Sequence, residues 1–221
     1  TRLIFRTLKG KRPTGVDRVG LAYVSYFHSS AYPALAVLAW KGKVVVLSER
    51  KSEEVFLSLL EQEELGGQAS RSYWFRVLAN LSLSRVNERS YRGCFLFNTG
   101  HKGLESEAYA QALKKMGVRP IYFVHDLIPI THPEYCRPDE KEKHTQRMLR
   151  ILNDADAIIV NSAYTEVEVK RFAIENALPC PITSVAWLAS KFVADNSNRT
   201  HIEFDQDGFQ TPYFVTLSTI E

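Results

Sequence analysis

Three short runs in this chain, FLFN in Cys94–Asn98, IYFV in Ile121–His125 and AIIV in Ala157–Asn161, are apolar at nearly every position, and each is followed by an amphipathic stretch. A strand with one wet face alternates polar and apolar residues. A short run without that alternation reads as a strand covered on both faces. Such strands, separated by helical stretches, are joined as parallel βαβ units. The chain is therefore expected to be α/β and Rossmann-like: a mostly parallel sheet with helices on both faces. Arg2–Arg6, Leu35–Trp40, Val44–Leu47 and Thr183–Trp187 read as further strands, with Lys41-Gly42 as a turn. Helices are expected over Val16–Phe27, Glu53–Leu60, Tyr73–Leu83, Glu105–Met116, Asp139–Leu152 and Ala163–Glu175, with Gly117 as a left-handed cap.

Composition bounds this reading. At 221 residues and 45% hydrophobic, the chain suits one large soluble domain, or one plus a fragment. A net charge of +3 gives no footprint for nucleic acid, and none is expected as a partner. The longest apolar run, Tyr32–Trp40, falls far short of the roughly 20 residues a membrane span needs. The start TRLIF reads as no secretory leader. Cys94, Cys136 and Cys180 show no C-x-x-C spacing, so no disulfide framework is expected, and Cys94 reads as core. The expected location is cytoplasmic, or peripheral on the inner face of the cytoplasmic membrane. Arg71, Tyr73, Trp74, Phe75 and Arg76, followed by Arg85, Arg89 and Arg92, fit either contact with an anionic membrane or a core-facing aromatic helix with a solvated basic face. The second is the plainer reading. Residues 1–189 are taken as the N-terminal domain. The polar, acidic stretch 190–211 reads as a linker, and residues 212–221 (PYFVTLSTIE) read as the first strand of a second domain.

Ligands of open α/β sheets bind beyond the carboxyl ends of the strands. There the sequence collects KGKRPTGVDRV, TGHKGL, HDLIPITHPEY and NSAYT. Gly15 permits close approach of a ligand, and the helix start after it, with Arg18 one turn in, suits a phosphate. An ordinary helix start capped by Thr14 or Asp17 explains the same residues. His125 can give a hydrogen bond or share developing charge, or it is a packed histidine satisfied by backbone. Gly100, His101 and Asp126 join this rim, the last two equally as plain loop residues. Asn161 and Ser162 are fully explained by capping, with a binding role added. His125 and His132 lie in no known ligand spacing, and no metal site and no cofactor are expected. A G-x-G-x-x-G is absent, against a dinucleotide enzyme.

Taken in order, RPTGVDRVGLAY, LFNTGHKGL, YFVHDLIPITHPEYCRP, IIVNSAYTEVEVKRF and PYFVTLSTIE resemble the N-terminal part of glycosyltransferase family 4 enzymes of the GT-B fold. Matching is weaker between Arg50 and Arg92. The subgroup most similar includes bacterial mannosyl- and related transferases of surface polysaccharide synthesis. The resemblance implies a retaining, metal-independent enzyme with a cleft between two lobes. This lobe would hold a glycan or lipid-linked acceptor, and a second lobe a GDP- or UDP-sugar. It implies that His125 contacts the transferred sugar and that Gly15 lies near the donor phosphates. It also implies that 1–221 is inactive without the donor lobe. In the complete enzyme, His125→Ala is then expected to lower turnover while sparing the melting temperature. A non-catalytic binding or regulatory α/β domain, or a metal-assisted hydrolase built on the histidines, are the alternatives.

Overall fold

The computed structural model describes residues 3–4, 6, 13–40, 43–64, 91–100 and 103–188. The chain clusters into two units, Thr1–Trp187 and Leu188–Glu221, and the fold below is that of the first. The Lys41-Gly42 turn, the expected helix at Tyr73–Leu83 with the basic residues around it through Arg89, His101, the linker 190–211 and the strand at 212–221 all lie outside the described residues.

The central sheet is parallel, in the order β3 (Phe95–Asn98), β4 (Arg119–Val124), β5 (Ala157–Val160) and β6 (Ile182–Val185). It follows β1 (Val37–Trp40) and β2 (Lys43–Val46), which form an antiparallel hairpin. The helices are α1 (Gly15–Ser29), α2 (Glu49–Glu64), α3 (Glu107–Met116), the one-turn α4 (Ile128–Thr131), α5 (Glu140–Asp154) and α6 (Ala163–Glu175). This is an α/β, Rossmann-like fold with a parallel sheet.

Strand order follows chain order, so right-handed crossovers stack α3, α5 and α6 on one face. One core forms there. Tyr122, Val124, Ile158 and Val160 of the sheet meet Leu113 and Met116 of α3, Met148, Ile151 and Leu152 of α5, and Val169 and Phe172 of α6. The opposite face carries α1, whose Tyr23 ring lies 5.8 Å from Phe97 and 6.3 Å from Phe123. A second core, Leu21, Leu38, Val45, Leu47, Val55, Leu59 and Ile4, joins α1, the hairpin and α2.

Three expectations are corrected. Leu3, Ile4 and Arg6 are helical, not part of a strand. Periodicity cannot separate a short apolar run in a strand from one buried helical turn. The strands are not all covered on both faces. Of the three apolar runs only the one in β4 is, at Tyr122, Phe123 and Val124, because the stacked crossovers leave the other face to α1, and Phe95 and Ile182 on the outer strands stay 51% and 77% exposed. Cys94 is exposed rather than core. It stands at the start of an edge strand, where its N–H is given to Tyr91 O and its carbonyl takes the Arg119 N–H. No helix among the described residues is long and apolar enough to cross a membrane.

Candidate functional site

The carboxyl ends of β4 and β5 are level, Val124 being in register with Val160, and β3 beside them ends two residues earlier, with Asn98 in register with Tyr122. Neighbouring strands lie about 4.8 Å apart across the sheet, so the turns that leave them are close together. In the first turn, Asn98 uses both ends of its amide. Its Oδ1 accepts the Gly100 N–H at 3.1 Å, and its Nδ2 donates to the Tyr109 hydroxyl at 3.1 Å. Burial pushes that hydroxyl's pKa up to about 12, with the Asn98 bond acting weakly against it, so it stays protonated. The turn is held in place from α3.

His125 stands one residue past β4. Its ring is 7% exposed, packs with its centroid 4.6 Å from that of Phe123, and sets Nε2 3.0 Å from the carbonyl oxygen of Thr99. A carbonyl can only accept, so Nε2 is the protonated nitrogen in this contact. The bond ties the β4 turn to the β3 turn. The half-buried Asp126 accepts the Ile128 N–H on Oδ1 at 3.1 Å, a turn that leads into α4. In the third turn, Ser162 caps α6 by accepting the Thr165 N–H at 3.1 Å, and Thr165 Oγ1 donates to Asn161 Oδ1 at 3.0 Å.

Helix α1 reaches this rim through a glycine that the sequence reading passed over. A Cβ on Gly20 would stand 3.2 Å from Thr99 Oγ1. Tyr23 and Phe27, further along α1, lie over Phe97, so the helix runs antiparallel to the strands. Its first residue, Gly15, then projects beyond the end of β3 by roughly 7 Å, at about 1.5 Å per residue. The route to this position differs from the one expected, since no strand precedes α1 among the described residues. Thr14 and Asp17 form a capping box, and the buried Asp17 carboxylate also holds Arg6 at 2.9 Å. Arg18 is exposed.

The structure therefore joins Gly100, through its turn, to His125 and Asp126 by a hydrogen bond, and sets Asn161 and Ser162 in the neighbouring turn. Gly15 and Arg18 belong to a helix that meets the rim at Gly20 instead. The sequence reading also missed His144, Asn98 and Tyr109. His144 was findable: it shares a helical stripe with Met148, Ile151 and Leu152, an apolar face interrupted by one imidazole. His132 faces Glu134, with Nδ1 to Oε1 at 3.3 Å. No group of three or more His, Cys, Asp or Glu side chains among the described residues is arranged to hold a metal ion.

A family model described as glucosyltransferase 3-like, N-terminal domain, matches residues 101–170. This region is glycosyltransferase-like. The match runs from the loop after Gly100 through α3, β4, α5 and β5 into α6, and so takes in His125, Asp126, His144, Asn161 and Ser162. It supports a glycosyltransferase relationship without reaching family 4 or a mannosyl donor. Comparison with curated proteins and with solved structures finds no match.

Proposed function

We propose that this chain is the acceptor-side half of a glycosyltransferase that moves a glucosyl or related hexosyl group from a nucleoside-diphosphate sugar to a glycan or lipid-linked saccharide. The observation that carries the reading is the overlap of the glucosyltransferase-like match with the turns that end β4 and β5. The description of the matched family favours glucose over the mannose expected from sequence. In such a transfer, negative charge builds on the leaving phosphate while the sugar turns cationic, and preoriented N–H donors are the largest source of rate. His125 would position the sugar. N–H groups at the starts of α1 and α6 would face the donor. The retaining, metal-independent course and the donor lobe after residue 211 belong to the same proposal.

The test uses the full-length protein with UDP-glucose or GDP-mannose and a panel of saccharide acceptors, reading nucleotide release. UDP release from UDP-glucose is expected. His125→Asn is expected to lower turnover by roughly a hundred- to a thousand-fold, as loss of a positioned donor does. Asparagine is preferred to alanine here. The buried ring bonds Thr99, and its removal leaves a carbonyl unsatisfied at a cost of about 1–3 kcal/mol, so alanine would lower the melting temperature as well. Absence of nucleotide release from either donor, or a His125→Asn variant at the native rate, would overturn the proposal.

A further inference from the structure

One buried titratable group has no part in the chemistry described so far. His144 lies on the inward stripe of α5, its ring 5% exposed, with Nε2 3.1 Å from the carbonyl oxygen of Asp126. The carbonyl accepts, so Nε2 carries the proton. Burial lowers the ring's pKa below the ordinary histidine range, while its bond to Asp126 partly restores it. At neutral pH the ring is uncharged and has a single N–H to give. Asp126 directly follows His125, and the turn it belongs to is anchored on its far side by Leu127, 4% exposed in the main core, and by the Ile128 N–H on Asp126 Oδ1. The peptide linking these anchors to His125 is the one that His144 holds.

We infer that His144 is a positioning residue for the rim: by donating Nε2–H to the Asp126 carbonyl, it fixes the Asp126–Leu127 peptide, one residue past His125, and so sets where the His125–Asp126 turn stands at the end of β4. It acts through that peptide and not on a substrate. Its effect on turnover rests on the glycosyl-transfer reading, whereas its hold on the turn does not. A buried carbonyl that loses its donor is left unsatisfied, and the segment carrying it opens more often. The neighbouring strand β5 makes no use of this bond and is the internal control.

The experiment compares His144→Phe and His144→Gln with the native full-length protein by amide hydrogen exchange, and measures kcat and KM for UDP-glucose. In His144→Phe, exchange over residues 126–132 is expected to rise about tenfold while 157–160 is unchanged, the size expected for one buried hydrogen bond. Turnover should fall about as much, with KM little altered. Glutamine can still donate a side-chain N–H, so His144→Gln should restore both. Native exchange over 126–132 in His144→Phe, or equal acceleration of 157–160, overturns the inference. Should the phenylalanine variant not fold, the native protein decides by ¹H–¹⁵N spectroscopy of the ring: an Nε2–H tautomer supports the bond, and an Nδ1–H tautomer overturns it. Exchange as expected with no nucleotide release from any variant, the native protein included, leaves the latch standing and removes the glycosyl-transfer reading.

Discussion

Two histidines hold the rim by the same chemistry, a ring N–H given to a backbone carbonyl: His125 to Thr99 and His144 to Asp126. The second has a thermodynamic signature. Its folded pKa is depressed by burial, while in the unfolded chain it returns to about 6.5. As pH falls below that value, the unfolded chain takes up a proton that the folded chain refuses. The stability from keeping His144 neutral is therefore complete above about pH 6.5, and is lost as pH falls toward and through the folded pKa. The slope approaches at most about 1.4 kcal/mol per pH unit for one proton. Asp126, Glu140 and Arg147 surround the ring, the carboxylates favouring its charged form and the guanidinium opposing it, with burial the largest influence. Melting curves of the native protein between pH 7 and pH 5 should fall more steeply than those of His144→Gln. Parallel curves would show that His144 titrates alike in both states. His125 was legible in the sequence because it closes an apolar strand run. His144 was harder to see, because its role depends on the packing of α5 beneath a turn formed 18 residues earlier.

Helix α6 separates a capping role from a binding role at one residue. Its limits, Ala163–Glu175, coincide with those read from sequence because its start signal is local: Ser162 takes the Thr165 N–H on its own side chain. β3 shows the opposite case. FLFN reads as doubly covered, yet its exposure is decided by strand order, since it lies at the edge of a sheet whose crossovers stack on the other face. Local chemistry is written in neighbouring residues, and coverage of a face is not. For Ser162, alanine removes the cap and should cost about 1 kcal/mol of stability. Aspartate caps as well as serine, so Ser162→Asp should melt near the native temperature. It also sets a negative charge at the rim, where the proposed donor phosphate would approach. If α6 faces that phosphate, Ser162→Asp weakens UDP-glucose use at least tenfold, whereas Ser162→Ala affects it little once the protein is folded. Equal kinetics for the two variants would leave Ser162 a cap and nothing more.

At the scale of the whole molecule, the chain clusters into Thr1–Trp187 and Leu188–Glu221, and the sequence changes character over nearly the same boundary. Ser190–Thr211 holds Asp195, Asn196, Asn198, Asp205, Asp207 and Gly208 among few apolar residues. A protease must draw several residues into an extended conformation, so cutting within a packed element requires local unfolding, at a free energy that rises toward the global value in the core. Residues 121–175 carry β4, α5, β5 and α6, which supply most of the main core through Tyr122, Val124, Met148, Ile151, Leu152, Ile158, Val160, Val169 and Phe172. Several basic residues there are also engaged: Arg147 with Glu105 at 3.1 Å, Arg150 with Glu107 at 2.6 Å and Lys170 with Glu166 at 2.7 Å. A segment as polar as 190–211 has little apolar surface to bury and so little free energy opposing extension. Trypsin at low ratio should therefore cut at Lys191 or Arg199 before it cuts within residues 121–175. Mass spectrometry of the earliest fragments reads the outcome. First cuts at Lys141, Lys143, Arg147, Arg150, Lys170 or Arg171 would mean that the β4–α6 region opens more readily than 190–211, and the interdomain reading of that segment would fall.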